Sequence, residues 1–408
     1  EFIRLYLHYI HDRPHSLFHE QSLWDEVRDG TLPECLLTAI CAMGCRFSPH
    51  ERHRNLAATF RSNSKSLLAQ NLEDICIPNV QACILLANSY AAEQDNALEA
   101  LYFGIANRMA YVLGLHKQDA KDPPILRETK SRVWWSLFMA DRWCPPGLGL
   151  PRQIIRSTPE VEMPMDEVDF QMLRSAGGPS LLKSRTEGLW AYNISLVYIL
   201  DSIQDINISL VQGQVDRSTI DYQVERIADR LQGWHDSLPR SMVMNDQNLD
   251  MYKKKGYGGT FVALHLGYHH YSTLLYFQYL EPECEPTQKT VAYAARCRHH
   301  GLAYSRLVHT SRELGDCHVV YLTVAHMTIV SSSVLLHLLL FGNKQEMETA
   351  RTQLTLNFEA LMDLAKFWPC VDRMKERLFI FQNACLRSSA AKTYAVDRWI
   401  VRFLLEYA

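Results

Sequence analysis

Apolar residues recur with helical spacing along almost the whole chain. In "NVQACILLANSY" the positions Val80, Cys83, Ile84, Ala87 and Tyr90 follow i, i+3, i+4, i+7 spacing, which marks one buried helix face. In "ALEALYFGIANRMAYVLGLH" the stripe Leu98, Leu101, Tyr102, Ile105, Met109 and Val112 predicts a second helix packed through that face. Gly114 suits the position just past its end, where φ > 0 is needed. Gly104 lies in mid-helix, costs about 1 kcal/mol relative to Ala, and predicts close approach of a neighbouring helix. Similar patterns predict helices over 187–208, 218–234, 261–280, 291–312, 321–341, 353–367 and 371–404. Alternating patterns bounded by turn signals are scarce. The predicted fold is all-α: a large helical domain with Pro/Gly-rich connecting loops.

The pattern breaks at 118–125, 144–180, 239–259 and 281–287. The second break holds Pro145, Pro146, Pro151, Pro159, Pro164 and Pro179 with Gly147, Gly149, Gly177 and Gly178, which forbids a continuous helix. "KKKGYGGT" (253–260) has lysines and glycines in the wrong order to cradle phosphate and reads as a surface loop. No uninterrupted apolar run reaches the length needed to span a bilayer, so no membrane partner is expected. The first segment, "EFIRLYLHYIHDR", carries Arg4, His8 and Asp12 and is unlike a signal peptide; the chain reads as a piece of something longer.

Charge and cysteine usage narrow the function. Lys+Arg 42 against Asp+Glu 45 gives a net charge of −3, so no global basic field is available to hold a phosphate backbone. The 11 cysteines are odd in number and form no CxxC pair, which fits a reducing compartment. No phosphate loop, GxSxG elbow, HExxH or aspartate-rich DDxxD face occurs. His265 and His269 lie four apart on a predicted helix, as do His11 and His15, but neither pair has an obvious further ligand. Metal ligation and catalytic residues are therefore not expected. His265, Tyr268, His269 and Tyr271 are the candidates for lining a ligand pocket; the plainer reading is aromatic filling of a helical core.

"SRVWWSLFMADRWCPPGLGLPRQI" (131–154) asks for more. On a helix, Asp141 projects onto the same face as Trp134, Leu137 and Phe138. A carboxylate there must be paired and hydrogen-bonded. Arg108 and Arg152 are the preferred partners, because Arg142 is adjacent in sequence and leaves the helix in another direction. Backbone N–H groups of the "CPPGLGLP" loop are further candidates. Asp141 lacks a second titratable group and reads as a brace rather than a catalytic acid. Trp134 and Trp135 diverge by about 100°, so Trp135 is expected to meet a different element, such as a C-terminal helix.

These residues carry a resemblance. "GIANRMAYVLGLHK", "ETKSRVWWSLFMADRW" and "GLGLPRQI" resemble the signature of the fungal-specific transcription factor domain, the regulatory middle region of zinc-cluster (Zn2Cys6) factors. Its structural positions here are Arg108, Met109, Gly114, His116, Arg132, Trp134, Trp135, Asp141, Arg142, Gly149 and Pro151. Ser131 departs from it, standing where the family has an arginine. "RPHSLFHEQSLWDEV", "TLPECLLTAICAMGCRFS", "LQGWHDSLPRSM" and "LHLGYHHYSTLLYF" resemble further family elements. The resemblance implies one regulatory domain over 1–408, with a signature core at about 30–170 and a C-terminal helical half at about 181–408. It implies a nuclear, non-enzymatic chain without a cofactor of its own. Zinc and DNA would be bound by a six-cysteine module upstream. A small-molecule effector, a co-regulator protein or a second copy are the partners it suggests. The alternative is an all-α metabolite-binding protein or enzyme that shares the architecture.

Overall fold

The computed structural model describes residues 1–13, 15–144, 149–155, 161–174, 185–213, 215–280 and 287–391. Pro14, Pro145, Pro146, Gly147, Pro159, Gly177, Gly178 and Pro179 lie outside the described residues, as do 281–286 and the last part (392–404) of the final predicted helix. Among the described residues the fold is all-α. The chain folds as two compact units, Glu1–Ile194 and Ser195–Ala408.

The first unit contains α1 (Phe2–Tyr9), α2 (Glu20–Asp29), α3 (Glu34–Gly44), α4 (Glu51–Arg54), α5 (Ala57–Gln70), α6 (Ile77–Ala91), α7 (Asn96–Val112), α8 (Pro124–Trp143) and α9 (Glu167–Met172), and ends within α10 (Leu189–Gln212). Its helices start where the sequence offers caps. His19 accepts from the Ser22 N–H at the head of α2, Asp95 accepts from the Leu98 N–H at the head of α7, and Pro124 sits in the first turn of α8, where a missing N–H costs nothing. Gly114 follows α7 at φ 70°, as its place after the last apolar residue predicts. α6 is the hub, packing on α3, α5, α7 and α8.

The second unit contains α11 (Arg217–Asp236), α12 (Asp246–Lys254), α13 (Gly258–Tyr276), α14 (Gln288–Glu313), α15 (Thr323–Phe341), α16 (Lys344–Ala365) and α17 (Cys370–Ala391). α13 packs on α11, α12, α14 and α15, and α15 on α14, α16 and α17. By length and composition, α10 and α15 could cross a membrane, although neither is an uninterrupted apolar run. α15, with mean hydropathy 1.8, is 83% buried, and α10 is 56% buried, as core helices are.

Several expectations need correction. The break at 239–259 contains α12, capped by Asn245 and too polar for its short buried face (Leu249, Tyr252) to stand out. "KKKGYGGT" is no loop: its lysines end α12, Gly256 turns the chain at φ 83°, and Gly258, Gly259 and Thr260 begin α13 and are buried. The helix predicted from 353 starts nine residues earlier, because Asn343 and Glu346 form a capping box. The stripe on α7 splits: Tyr102 and Met109 are buried, whereas Leu101 and Val112 are exposed. Gly104 does not meet a helix. A Cβ there would meet the Gln153 side chain at 3.4 Å.

Candidate functional site: the α8 brace

Every residue of α8 from Ser131 to Arg142 is buried. Four ionisable side chains, Glu128, Arg132, Asp141 and Arg142, lie inside with them. Each needs partners, because a charge removed from water costs several kcal/mol after relaxation.

The first half of α8 is organised by Arg132. Its Nε donates to Glu128 Oε1 one turn back at 2.9 Å, Nη1 to Ser16 Oγ at 2.6 Å, and Nη2 to the Met165 carbonyl at 2.7 Å. The guanidinium also lies 4.3 Å from the centre of the Phe170 ring. Glu128 is satisfied in turn by the Met165 N–H at 2.9 Å and by Arg185 at 2.8 Å. Ser16 Oγ donates to Asp12, which sits at φ 60° beside His11. His11 Nε2 accepts from the Leu17 and Phe18 N–H groups, which leaves Nδ1–H facing Asp12 at 3.3 Å. Burial alone would raise the Asp12 pKa, but His11, Arg132 and Ser16 together hold it down at about 2. The opposite happens at Glu167, where burial dominates and pushes the carboxyl up to about 7 against Arg132 and the Trp190 N–H.

Asp141 organises the second half. Its carboxylate accepts the Gln153 N–H at 2.9 and 3.1 Å and the Ile154 N–H at 2.9 Å. Arg142, not Arg108 or Arg152, is its ion-pair partner, with Nη1 at 3.1 Å. The long side chain of Arg142 curls back over Phe138, 3.9 Å from the ring centre, and so overcomes its unfavourable helical direction. It also donates to the Ile154 carbonyl at 2.9 Å. Arg152 acts on Asp141 only as a nearby positive charge, and Arg108 is exposed. Burial raises the Asp141 pKa, opposed by the Gln153 and Ile154 N–H groups. The donors come from just beyond the Pro/Gly loop. Within that loop Gly149 stands at φ 64°, and Gly149 and Pro151 are exposed.

The two tryptophans do part company. Trp134 packs edge-on against Tyr111 at 5.3 Å between ring centres and lies 5.9 Å from His116, joining α8 to the chain that leaves α7. Trp135 turns toward the segment that precedes α9. Its Nε1–H donates to the Glu162 carbonyl at 3.0 Å, and Ser131 Oγ donates to the same oxygen at 3.0 Å. Ser131 thus makes a neutral tie to that segment. Through these bonds α8 holds four remote stretches: 12–16 through the Asp12 and Ser16 side chains, 153–154 and 162–165 by their backbones, and Arg185 through Glu128. Sequence reasoning missed Glu128, whose signal is the i, i+4 spacing to Arg132. It also missed Asp12, Ser16 and the carbonyl acceptors, which carry no side-chain signal of their role.

In the second unit Tyr268 and His269 touch each other and both pack on His300. His265 Nε2 lies 3.0 Å from the Met242 carbonyl and its ring meets Phe261 edge-on. Burial lowers its pKa to about 4. His269 Nδ1 lies 3.0 Å from His300 Nδ1. Tyr268 stacks on Trp234 and His235, and Tyr271 is buried beside His270. Among the described residues no group of three or more His, Cys, Asp or Glu side chains is placed to hold a metal ion.

The chain matches the family described as the fungal specific transcription factor domain over residues 3–236, which includes all of the α8 brace. It is 23% identical to an uncharacterized transcriptional regulatory protein of Schizosaccharomyces pombe, over 90% of this chain and 50% of that protein. It is 23% identical to the Zn(2)-C6 fungal-type transcription factor FTF1c of Fusarium oxysporum f. sp. lycopersici, over 90% of this chain and 44% of that protein. For FTF2 of the same fungus the identity is 22%, over 98% of this chain and 41% of that protein. The chain spans about half or less of the length of these relatives. With more than half of its residues matched, the chain belongs to the fungal-specific transcription factor domain family.

Proposed function

We propose that this chain is the regulatory, non-enzymatic domain of a nuclear zinc-cluster transcription factor. DNA and zinc are handled by a module outside these residues, and the domain sets how strongly the factor activates. The observation that supports this reading most is the family match across the braced core. The geometry adds a means: α8 ties four remote stretches to one helix, so a change at any of them reaches the others. A net charge of −3 does not favour DNA binding by the domain itself.

The test is a fusion in yeast. A known zinc-cluster DNA-binding module and an activation segment are joined with or without residues 1–408 between them, and reporter output is normalised to protein abundance. Output per molecule is expected to change several-fold with the domain present. It is expected to shift again with Trp135→Phe, which replaces the indole by a smaller aromatic ring and removes the Glu162 hydrogen bond. Equal output per molecule in all three fusions would refute a regulatory role.

A further inference from the structure

One side of the first unit is unlike the rest of its surface. α7 leaves part of its apolar stripe uncovered, with Leu101 52% and Val112 61% exposed. Together with Leu72 and Ile75, which lie between α5 and α6, and with Ile155 at 76% exposure, they line an open groove of about 900 Å³. Its length along α7, from Ala100 to Val112, is about 18 Å at 1.5 Å per residue. Scattered exposed apolar residues need no explanation, but a contiguous apolar groove does.

The groove has polar residues part-way along α7. Arg108 is the charged side chain lining it and makes no ion pair or hydrogen bond among the described residues. Beside it Asn107 is 96% buried, because its relative exposure is 4%. Its Nδ2 donates to Gln153 Oε1 at 3.0 Å, while its Oδ1 has no partner. Gly104 leaves room for the Gln153 amide, 3.4 Å from where a Cβ would stand.

We propose that this groove binds an aliphatic monocarboxylate. The carboxylate is held by the planar fork of the Arg108 guanidinium, which matches it two-to-two. The chain runs from Arg108 back along Ile105 and Leu101. One cation in a mostly apolar groove selects a single negative charge and an apolar body; a polyanion would find no second cation in the lining. Gln153 carries the consequence. Its side chain walls the groove, and its backbone N–H is held by Asp141. Occupancy of the groove therefore acts directly on the α8 brace. This last step rests on the regulatory reading; the binding site does not.

The test uses purified residues 1–408 and decanoate as the probe, with decanol as the uncharged control, followed by calorimetry. Saturable one-to-one binding of decanoate is expected, at least 10-fold tighter than decanol. Arg108→Gln is expected to remove that preference, and Leu101→Glu to abolish binding of both. Both positions are exposed, so both variants should melt with the wild type. No saturable binding, or binding indifferent to both substitutions, would overturn the proposal. So would binding of an acidic amphipathic helical peptide to the groove with no binding of decanoate. A failed reporter test with intact decanoate binding would refute the regulatory reading and leave the site.

Discussion

α8 and α15 are both helices buried on nearly every side, and they reach that state by different chemistry. α8 carries Glu128, Arg132, Asp141 and Arg142 into the interior and satisfies them with backbone groups more than ten residues away. α15 carries Thr328, Ser331, Ser332 and Ser333 instead. The hydroxyls of Thr328, Ser332 and Ser333 donate to the carbonyl four residues back in their own helix, while Ser331 donates to the Gly301 carbonyl of α14 and Asn357 of α16 donates to Ser331 and Ser332. The first arrangement makes one helix the fixed point for several loops. The second joins neighbouring helices through neutral hydroxyls. A buried ion pair is weak evidence for extra stability, but breaking one is costly, so the α8 pairs specify where the loops go more than how stable the unit is.

This contrast predicts an order of effects. The largest belongs to Arg132→Ala, which takes one cation from Glu128 and the arginine from Asp12. Destabilisation of about 5 kcal/mol, the upper end for a broken buried pair, should appear in chemical denaturation. Arg132→Lys should rescue only a small part, since a single ammonium cannot reach Glu128, Ser16 and Met165 together. Asp141→Ala should cost about 3 kcal/mol, because Arg142 keeps the Phe138 and Ile154 carbonyls.

The next effect belongs to the second unit and depends on pH. The folded pKa of His265 lies below its unfolded value, so the folded state resists protonation. The stability it permits is complete above pH 6.5 and falls as pH drops toward about 4. At pH 5 the loss from His265 should be about 2 kcal/mol, and His265→Gln should remove that share of the slope in denaturation curves taken from pH 7 to pH 5. The share of His269, His270 and His300, whose pKa values burial lowers in the same direction, should remain. The smallest effect is that of Ser333→Ala, at most about 1 kcal/mol. The Ile329 carbonyl loses only a second donor from the side chain. A larger loss would mean that the Ser333 hydroxyl does more than back up a bond already made within its own helix.

The same contrast explains what the sequence makes legible. An aspartate in the apolar face of "WWSLFMAD" is conspicuous, so the brace can be read before its partners can. The partners are mostly backbone groups, and a carbonyl such as that of Glu162 or Met165 looks like every other. The pairing with Arg142 escapes a helical wheel because the wheel describes the direction of Cβ, while the long arginine side chain folds back over Phe138. The outer stripe of α7 looks like core because periodicity reports an apolar face, not what covers it. α12 escapes for the opposite reason, since two buried residues on a polar nine-residue helix leave almost no pattern.

Amide hydrogen exchange at Gln153 and Ile154 tests most directly whether α8 positions the chain beyond the Pro/Gly loop. Gln153 is largely exposed, so without the Asp141 carboxylate its N–H would exchange at loop rates. In the wild type both amides should be protected at least 100-fold relative to the exposed loop residue Leu150. Asp141→Asn, which keeps the shape and halves the acceptor, should remove most of that protection while the amides of α15 are unchanged. Loop-rate exchange at 153 and 154 in the wild type, or full protection in Asp141→Asn, would contradict the brace.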